Sequence, residues 1–459
     1  MRNKALHGSW VLMAAMLLPQ VLRAQGYAPK PDTRSAANMP TPQEIKNPPK
    51  EWIDKDTGHR VIRLTDTPGS ASFYFNVNSY TPDGNEMVYT TPDGISVLNL
   101  NTLKTREVVK GRVHTLVVGH KTPSIFYVKP LEGSPEPKTH EEYMHTPQAI
   151  YATNVDTGVT KMLAKIPLGY GLVTVNADET LAAGTYEERS APIEQTRRAG
   201  GRAGSAGTTQ TSPLVQAVNK GQMMERRLAA RIPLVLFTLD LTGSGKVTTL
   251  LHSTDWVNHL LFSPSDPTVL MYCHEGPWQK VDRIWTIRTD GTHNQLMHKR
   301  TMFMEIAGHE FWGYEGDTVY YDLQTPKGAD FWLASLDLKT GERIWRHLDR
   351  NEWSIHFNVS RDKTMFAGDG GDPGQVAHAP DGEWIYLFHP EMPRQTDGIN
   401  DKDYIQPRIL RAEKLVNMSK HNYALEPNVS FTPDQKMIIF RSNMFGPTYV
   451  FGVEIAKAK

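Results

Sequence analysis

Cysteine is nearly absent from this chain. Among 459 residues, Cys273 is the only one. An internal disulfide is therefore impossible, and a cluster of thiolate metal ligands is excluded as well. A metal site, if the chain has one, needs nitrogen and oxygen ligands.

An excess of either charge is also missing. Lys and Arg total 50, Asp and Glu total 50, and the formal net charge is zero. No overall field draws the chain toward nucleic acid or an anionic membrane, and we expect neither as a partner. A polyanionic substrate would have to meet a local basic site.

Long apolar runs are scarce. The run "WVLMAAMLL" near the N-terminus is too short to span a bilayer, and no other stretch is apolar enough for a membrane helix. Arg2 and Lys4 precede this run, a pattern typical of a secretory signal peptide. We predict a signal peptide over residues 1–24, a Pro-rich extended lead-in over 25–50, and an exported protein, periplasmic or secreted. A disordered apolar tail is the alternative.

A two-part unit recurs along the rest of the chain. Its first half is an apolar strand next to a polar turn, as in "YTPDGNEMVYTT", and its second half is another strand that ends in a turn, as in "FWLASLDLKTGE". Both halves occur seven times, at a spacing of roughly 40–55 residues that is typical of four-stranded propeller blades. We predict an all-β fold, a seven-bladed β-propeller over residues 51–459. A Gly/Ser/Thr-rich mobile insertion near 190–225 interrupts it, with a possible short helix behind the low-complexity part.

Polar side chains stand just before the first strand of four successive units. They are His259, His309 and His356, followed by His421, Glu426 and Asn428 before the last unit. A single histidine at such a position would more often be a structural, hydrogen-bonded imidazole. Because equivalent positions of propeller blades converge at the central channel, the repetition favours a shared site.

A second polar cluster lies in "HEGPWQKVDRIW", within the unit that begins near His259. It contains His274 and Arg283, and the planar guanidinium of an arginine matches a carboxylate. A solvated charged hairpin is the alternative interpretation. We name His274, Arg283 and His356 as candidates for substrate binding.

The motifs "HEGPW…VDRIW" and "GHEFWG" resemble those of the oligogalacturonate lyases, seven-bladed propellers that carry a divalent metal. The resemblance runs from about Gly58 to the C-terminus and is strongest between Trp256 and Trp312. It implies that His259 is the proton-abstracting base and that His309 is a metal ligand. It also places the catalytic arginine near Arg231.

The last unit departs from the family's pattern. Where members of the family have Gln-x-x-His-x-His, this chain has "HNYALEPN", with Glu426 and Asn428 at the two histidine positions. The resemblance then implies a metal site of His309, Glu426 and Asn428, with His421 close by. Oxygen donors suit a hard ion better than zinc, so we expect Mn²⁺, with Ca²⁺ or Mg²⁺ as alternatives.

The activity that the resemblance implies is metal-assisted β-elimination on an acidic oligosaccharide, oligogalacturonate. A histidine removes the C5 proton, the C4–O bond breaks, and the metal and a guanidinium stabilise the charge that develops on the uronate. Two alternatives stay open: a lyase for another uronic-acid glycan, and a non-catalytic, TolB-like periplasmic propeller that only binds. The ultraviolet absorbance of an unsaturated uronate product separates catalysis from binding.

Overall fold

The structure is a computed structural model that describes residues 32, 34–135, 137, 140–188, 220–372, 377, 379–395 and 397–458. Strands dominate these residues. They form where β-branched and aromatic residues run between turn residues. The stretch "EMVYTTPDGISVLN" is an example, with one strand before the turn residues Pro92 and Asp93 and one strand after them.

One sheet joins the two ends of the described chain. Its strands are β1 (Glu51–Ile53), β2 (His59–Arg63), β26 (Ser430–Phe431), β27 (Met437–Ser442) and β28 (Tyr449–Lys457). The spatial order is β1-β2-β28-β27-β26, so that the N-terminal strands pair with the C-terminal ones. This pairing closes the molecule.

Four further sheets follow in chain order, each a simple antiparallel meander. The first contains β3 (Glu86–Thr91), β4 (Gly94–Asn99) and β5 (Thr105–Lys110). The second contains β6 (His114–Val118), β7 (Ser124–Pro130), β8 (Gln148–Asn154) and β9 (Thr160–Ile166). The third contains β10 (Gly171–Val175), β11 (Leu181–Glu187), β12 (Leu234–Asp240) and β13 (Val247–Ser253). The fourth contains β14 (Trp256–Phe262), β15 (Val269–Glu275), β16 (Ile284–Arg288) and β17 (Gln295–Leu296).

The remaining sheet has eight strands in two antiparallel halves. One half contains β18 (Ile306–Trp312), β19 (Thr318–Gln324), β20 (Phe331–Asp337) and β21 (Arg343–Leu348). The other contains β22 (Phe357–Val359), β23 (Phe366–Gly368), β24 (Trp384–Glu391) and β25 (Gln406–Asn417). The outer strands β21 and β25 pair in parallel and join the halves.

Helices are few and short in the described residues: α1 (Pro42–Lys46), α2 (His140–His145) and α3 (Lys220–Ala230), with 3₁₀ turns at Ala36–Asn38 and Arg350–Glu352. In the described part of the chain, none is long and apolar enough to cross a membrane.

The hydrophobic core lies between neighbouring sheets. Leu236 of β12 packs with Leu260 of β14, and Met271 of β15 packs with Val319 of β19. Further clusters join the halves of the eight-stranded sheet to the closing sheet, and the closing sheet to β3 and β4. Since every sheet packs against the one before it and the one after it, the sheets form a ring around a central channel.

The all-β prediction is confirmed. The helix expected behind the low-complexity insertion is present as α3, and the predicted lead-in contains α1, whose N-cap Thr41 forms a capping box with Glu44. The predicted signal peptide over residues 1–24 and the low-complexity residues 190–219 lie outside the described residues.

Candidate functional site

Strands β6, β10, β14, β18, β22 and β26 contribute residues to the channel wall, and three of the predicted histidines take equivalent positions: His259 and His309 lie within β14 and β18, and His356 directly precedes β22. His259 stands three residues before Phe262, His309 three before Trp312, and His356 three before Val359. Two of the three also share a backbone feature. His259 (φ 48°) and His309 (φ 45°) lie within β-bulges of β14 and β18. A bulge re-aims a side chain, and here it accompanies imidazoles on the channel wall.

His309 is held by a buried carboxylate. Its Nδ1 donates to Asp322 Oδ2 at 3.2 Å, and Asp322 is buried on β19. Its ring lies edge-on to Trp278, with centroids 4.9 Å apart, and Gly308 makes room because a Cβ there would lie 2.7 Å from the Trp278 ring. With Nδ1 engaged by Asp322, the Nε2 of His309 is the nitrogen left for the channel.

His356 has the same support. Its Nδ1 donates to Asp369 Oδ2 at 2.8 Å, and both residues are fully buried. Its Nε2 accepts a hydrogen bond from the Tyr74 hydroxyl at 3.1 Å and lies 3.8 Å from Glu426 Oε2. The ring of His356 stands 4.7 Å from that of His309. Two imidazoles, each fixed by a carboxylate, and one further carboxylate therefore meet at one side of the channel, which His309 and Glu426 line and in whose wall His356 is buried.

The Glu426 carboxylate is ionised in this setting. Burial would raise its pKa, but the electrostatic interactions with His356 and Lys220 outweigh burial and lower the pKa of Glu426 to about 2. The site thus offers imidazole nitrogens beside a permanent negative charge, the donor set that divalent cations prefer.

His259 belongs to a neighbouring chain of charges. Its Nε2 lies 3.0 Å from Glu275 Oε2, and Arg283 Nη1 donates to Glu275 Oε1 at 3.2 Å. Burial raises the pKa of Glu275, but Arg283 and His259 hold it well below its usual range. The Arg283 guanidinium also lies over the Trp278 ring, 4.6 Å from its centroid. Glu275 and Trp278 engage Arg283, so this arginine positions the wall of the channel around His259.

Two of the four predicted metal ligands are engaged elsewhere. The side chain of Asn428 accepts from the Phe75 amide at 3.2 Å and donates to the Glu426 carbonyl at 2.9 Å. His421 is buried with Nδ1 at 2.9 Å from Ser442 Oγ and Nε2 at 2.7 Å from the Leu425 carbonyl. Burial lowers the pKa of His421 to about 3, so it is neutral. The structure brings together His309 and Glu426 of the predicted set and adds His356.

Arg231 and His274 lie apart from this group. Arg231 follows α3, is 55% exposed and forms an ion pair with Asp255. His274 Nδ1 is 3.9 Å from the other oxygen of the same Asp255, and its ring lies against Trp285. Neither residue lines the channel.

Three residues of the site were missed by sequence reasoning. Asp322 stands alone in the apolar strand "TVYYDLQ", and such an isolated carboxylate among buried residues is a signal that could have been used. Asp369 follows β23 in "FAGDGG", a segment rich in glycine. Tyr74 lies outside any strand and reaches His356 across 282 residues of sequence, for which the sequence gives no signal.

A metal ion would not find a complete cage in these residues. Within the described ranges, no three His, Cys, Asp or Glu side chains lie close enough together to hold one by themselves. The donor pair beside His309 is His356 Nε2 and Glu426 Oε2, 3.8 Å apart, so water or a ligand carboxylate would have to complete the coordination of an ion there.

The fold and this channel define a class: a β-propeller with a polar site of imidazoles and carboxylates inside its ring. A sequence profile described as oligogalacturonate lyase matches residues 228–458. The chain belongs to the oligogalacturonate lyase family.

Relatives in sequence carry the same name. An oligogalacturonide lyase of Pectobacterium atrosepticum (strain SCRI 1043) is 29% identical over 225 residues, which cover 46% of this chain and 53% of that enzyme. An oligogalacturonate lyase of Dickeya dadantii (strain 3937) is 23% identical over 420 residues, 86% of this chain and 93% of the other. The chain thus spans about half of the first relative and nearly all of the second.

Solved structures share the fold. An oligogalacturonate lyase in complex with manganese superposes with a TM-score of 0.63 and 22% identity, over 89% of this chain and 96% of the other. An oligogalacturonate lyase from Vibrio parahaemolyticus gives 0.64 and 19% over the same shares.

Proposed function

We propose that this protein is an oligogalacturonate lyase that breaks a glycosidic bond by β-elimination. The observation that carries the proposal is the meeting of His309, His356 and Glu426 at the channel wall, with a buried carboxylate behind each imidazole. Elimination needs a base near the C5 proton and positive charge near the sugar carboxylate. It needs neither a nucleophile nor two carboxylates that flank the bond, as glycoside hydrolysis does.

His356 and Glu426 are the residues that would hold a divalent ion, which would take the place of the Tyr74 hydroxyl on His356 Nε2 and leave that hydroxyl free for the substrate. Their donor atoms are 3.8 Å apart, and two donors that share one ion at roughly 2.0–2.6 Å lie no more than about 5 Å apart. Asp369 on the far nitrogen of His356 is the outer partner that metal-binding histidines usually have. One nitrogen and one oxygen donor suit Mn²⁺, and the bound ion would supply Lewis-acid stabilisation of the substrate carboxylate.

His309 is the residue best placed to act as the base. The C5 proton lies next to the sugar carboxylate, so the base has to stand beside the His356 and Glu426 pair. The His309 ring is 4.7 Å from the His356 ring, whereas the Nε2 of His259 is taken up by Glu275. Asp322 fixes the tautomer of His309 and would stabilise the imidazolium that forms. We therefore assign the role of base to His309, whereas the family resemblance assigned it to His259.

Tyr74 is the candidate for the group that protonates the leaving oxygen. Its hydroxyl lies 3.1 Å from His356 Nε2 and its ring 6.1 Å from that of His259. Burial raises the pKa of Tyr74 well above its usual value, so the phenol keeps its proton at neutral pH. In the reaction, the C5 proton passes to His309 and the released electron pair forms the C4–C5 double bond. The C4–O bond breaks, and the leaving oxygen takes a proton from Tyr74.

The test is the appearance of an unsaturated product. Oligogalacturonate, and a panel of other uronic-acid oligosaccharides, would be incubated with the protein and Mn²⁺ while ultraviolet absorbance is followed. We expect absorbance to rise with oligogalacturonate, to stop after addition of a chelator, and to be lost in His309→Gln. His252→Gln is the matched control, because His252 is exposed, pairs with Glu188 and does not line the channel. Binding of the sugar without new absorbance would instead support a non-catalytic propeller.

The blade number and the export of the protein belong to the same proposal. If the eight-stranded sheet counts as two four-stranded blades, the sheets of the described residues make a seven-bladed propeller. The basic start and apolar run of residues 1–24 support export to the periplasm or the medium, where oligogalacturonate would be met.

A further inference from the structure

Helix α3 is fastened to the rim of the channel. Its two buried residues, Met223 and Met224, pack against Trp256 at the start of β14. Arg227 lies over the same ring, 4.6 Å from its centroid, and forms an ion pair with Glu187 at 2.7 Å. These contacts fix both the position and the rotation of the helix.

A further ion pair ties the helix to the segment "HEGPWQK", residues 274–280. Glu225 of α3 accepts from Lys280 Nζ at 2.8 Å. The helix therefore spans from β11 and β14 to the turn that carries Trp278, and its first residue is set at the channel mouth.

That first residue is Lys220. It is exposed and lines the channel together with His259 and Glu426. Its charge is among the influences that lower the pKa of both Glu275 and Glu426. Within the described residues no ion pair or hydrogen bond of Lys220 is found, whereas Arg283 is already balanced by Glu275. An ammonium that faces the channel and forms no ion pair with a carboxylate of the described residues is available to an acidic ligand.

We infer that Lys220 binds the carboxylate of the uronate residue that adjoins the one cleaved. This inference rests on the proposed function. An oligogalacturonate carries one carboxylate on every sugar, and only one of them can bind the ion that His356 and Glu426 would hold. A lysine recognises the second carboxylate as a point charge. Helix α3 would thus make the enzyme prefer free acids to methyl esters at that position.

The experiment compares Lys220→Met with Lys220→Arg, and uses Lys161→Met as the control, since Lys161 is exposed on β9 and does not line the channel. For trigalacturonate we expect Lys220→Met to raise KM about tenfold, equivalent to about 1.4 kcal/mol, with kcat changed less than about twofold because the chemistry is untouched. Lys220→Arg keeps the charge and should restore most of the affinity. Lys161→Met should behave as wild type.

A second substrate makes the assignment specific. A trimer methyl-esterified on the adjoining sugar should bind the wild type about tenfold more weakly, and Lys220→Met should add no further loss. Unchanged KM in Lys220→Met, or an equal loss on the acid and the ester, would overturn the inference. Calorimetric binding of the same ligands needs no turnover, so it tests Lys220 even if the wild type proves unable to eliminate and the proposed function fails.

Discussion

The carboxylate behind His356 offers the sharpest test of the proposed metal site. Asp369 is fully buried and accepts three hydrogen bonds: from the His356 backbone amide at 2.8 Å, from His356 Nδ1 at 2.8 Å and from the Asn428 amide at 3.1 Å. Asp369→Asn keeps the size of the side chain, removes its charge, and turns one acceptor into a donor that faces these N–H groups. The His356 ring then loses the partner that sets its orientation.

The size of the effect follows from the lost contact. A hydrogen bond to a charged group contributes about 1.5–3 kcal/mol, and loss of an outer partner of a metal-binding histidine typically costs about 10–100-fold in metal affinity. We therefore expect Asp369→Asn to weaken Mn²⁺ binding about 10–100-fold. Titration followed by electron paramagnetic resonance measures free Mn²⁺ directly and needs no substrate.

The control for this variant is Asp362→Asn, at an exposed turn of the same sheet where the carboxylate accepts from Ser360 and Thr364. It should bind Mn²⁺ as wild type does. Thermal melts and circular dichroism establish that both variants are folded. A folded Asp369→Asn protein with wild-type Mn²⁺ affinity would refute the assignment of His356 as a ligand.

Three further predictions concern the roles of single side chains. His309→Gln should lower kcat by about 10²–10⁴-fold, the usual contribution of a general base, while Mn²⁺ binding changes little; a larger loss of kcat in His259→Gln would return the role of base to His259. Tyr74→Phe should lower kcat by roughly 100-fold or more if its proton reaches the leaving oxygen, with KM nearly constant in steady-state kinetics, and a wild-type kcat would exclude that role. His421→Gln should leave Mn²⁺ binding intact and reduce the acid sensitivity of the fold. Because burial lowers the pKa of His421 to about 3, the unfolded chain takes up this proton below about pH 6.5 and the folded chain does not, which costs the wild type about 1.4 kcal/mol per pH unit between those values. Melting temperatures at pH 7 and pH 5 should therefore differ less in His421→Gln than in wild type, and an equal drop in both would contradict the assignment.

The fold was predictable because its signals are local. A strand such as β19, "TVYYDLQ", is bounded by turns on both sides, and the same unit returns many times along the chain. The equivalence of His259, His309 and His356 followed from their fixed distance to the end of the first strand in each unit. The repeated unit therefore made both the fold class and the convergence of the imidazoles predictable from the sequence.

The partners of these imidazoles could not be read in the same way. Asn428 was predicted as a ligand because it stands at one of the family's two histidine positions, but its side-chain oxygen accepts from the amide of Phe75, which lies 353 residues away in sequence. His421 shared the same stretch, yet the local turn buries it against Leu425. Contacts that join the two ends of the chain across the channel, such as Tyr74 with His356, depend on ring closure and appear only in the folded molecule.

The central claim is the removal of the C5 proton by elimination, and isotope labelling tests it most directly. Oligogalacturonate deuterated at C5 would be digested with the protein and Mn²⁺, and the products weighed by mass spectrometry. Elimination predicts that the new end sugar has lost its C5 deuterium and is lighter by one water molecule than the product of hydrolysis, with a slower turnover than the unlabelled substrate. Products that retain the deuterium and contain the added water would contradict the account.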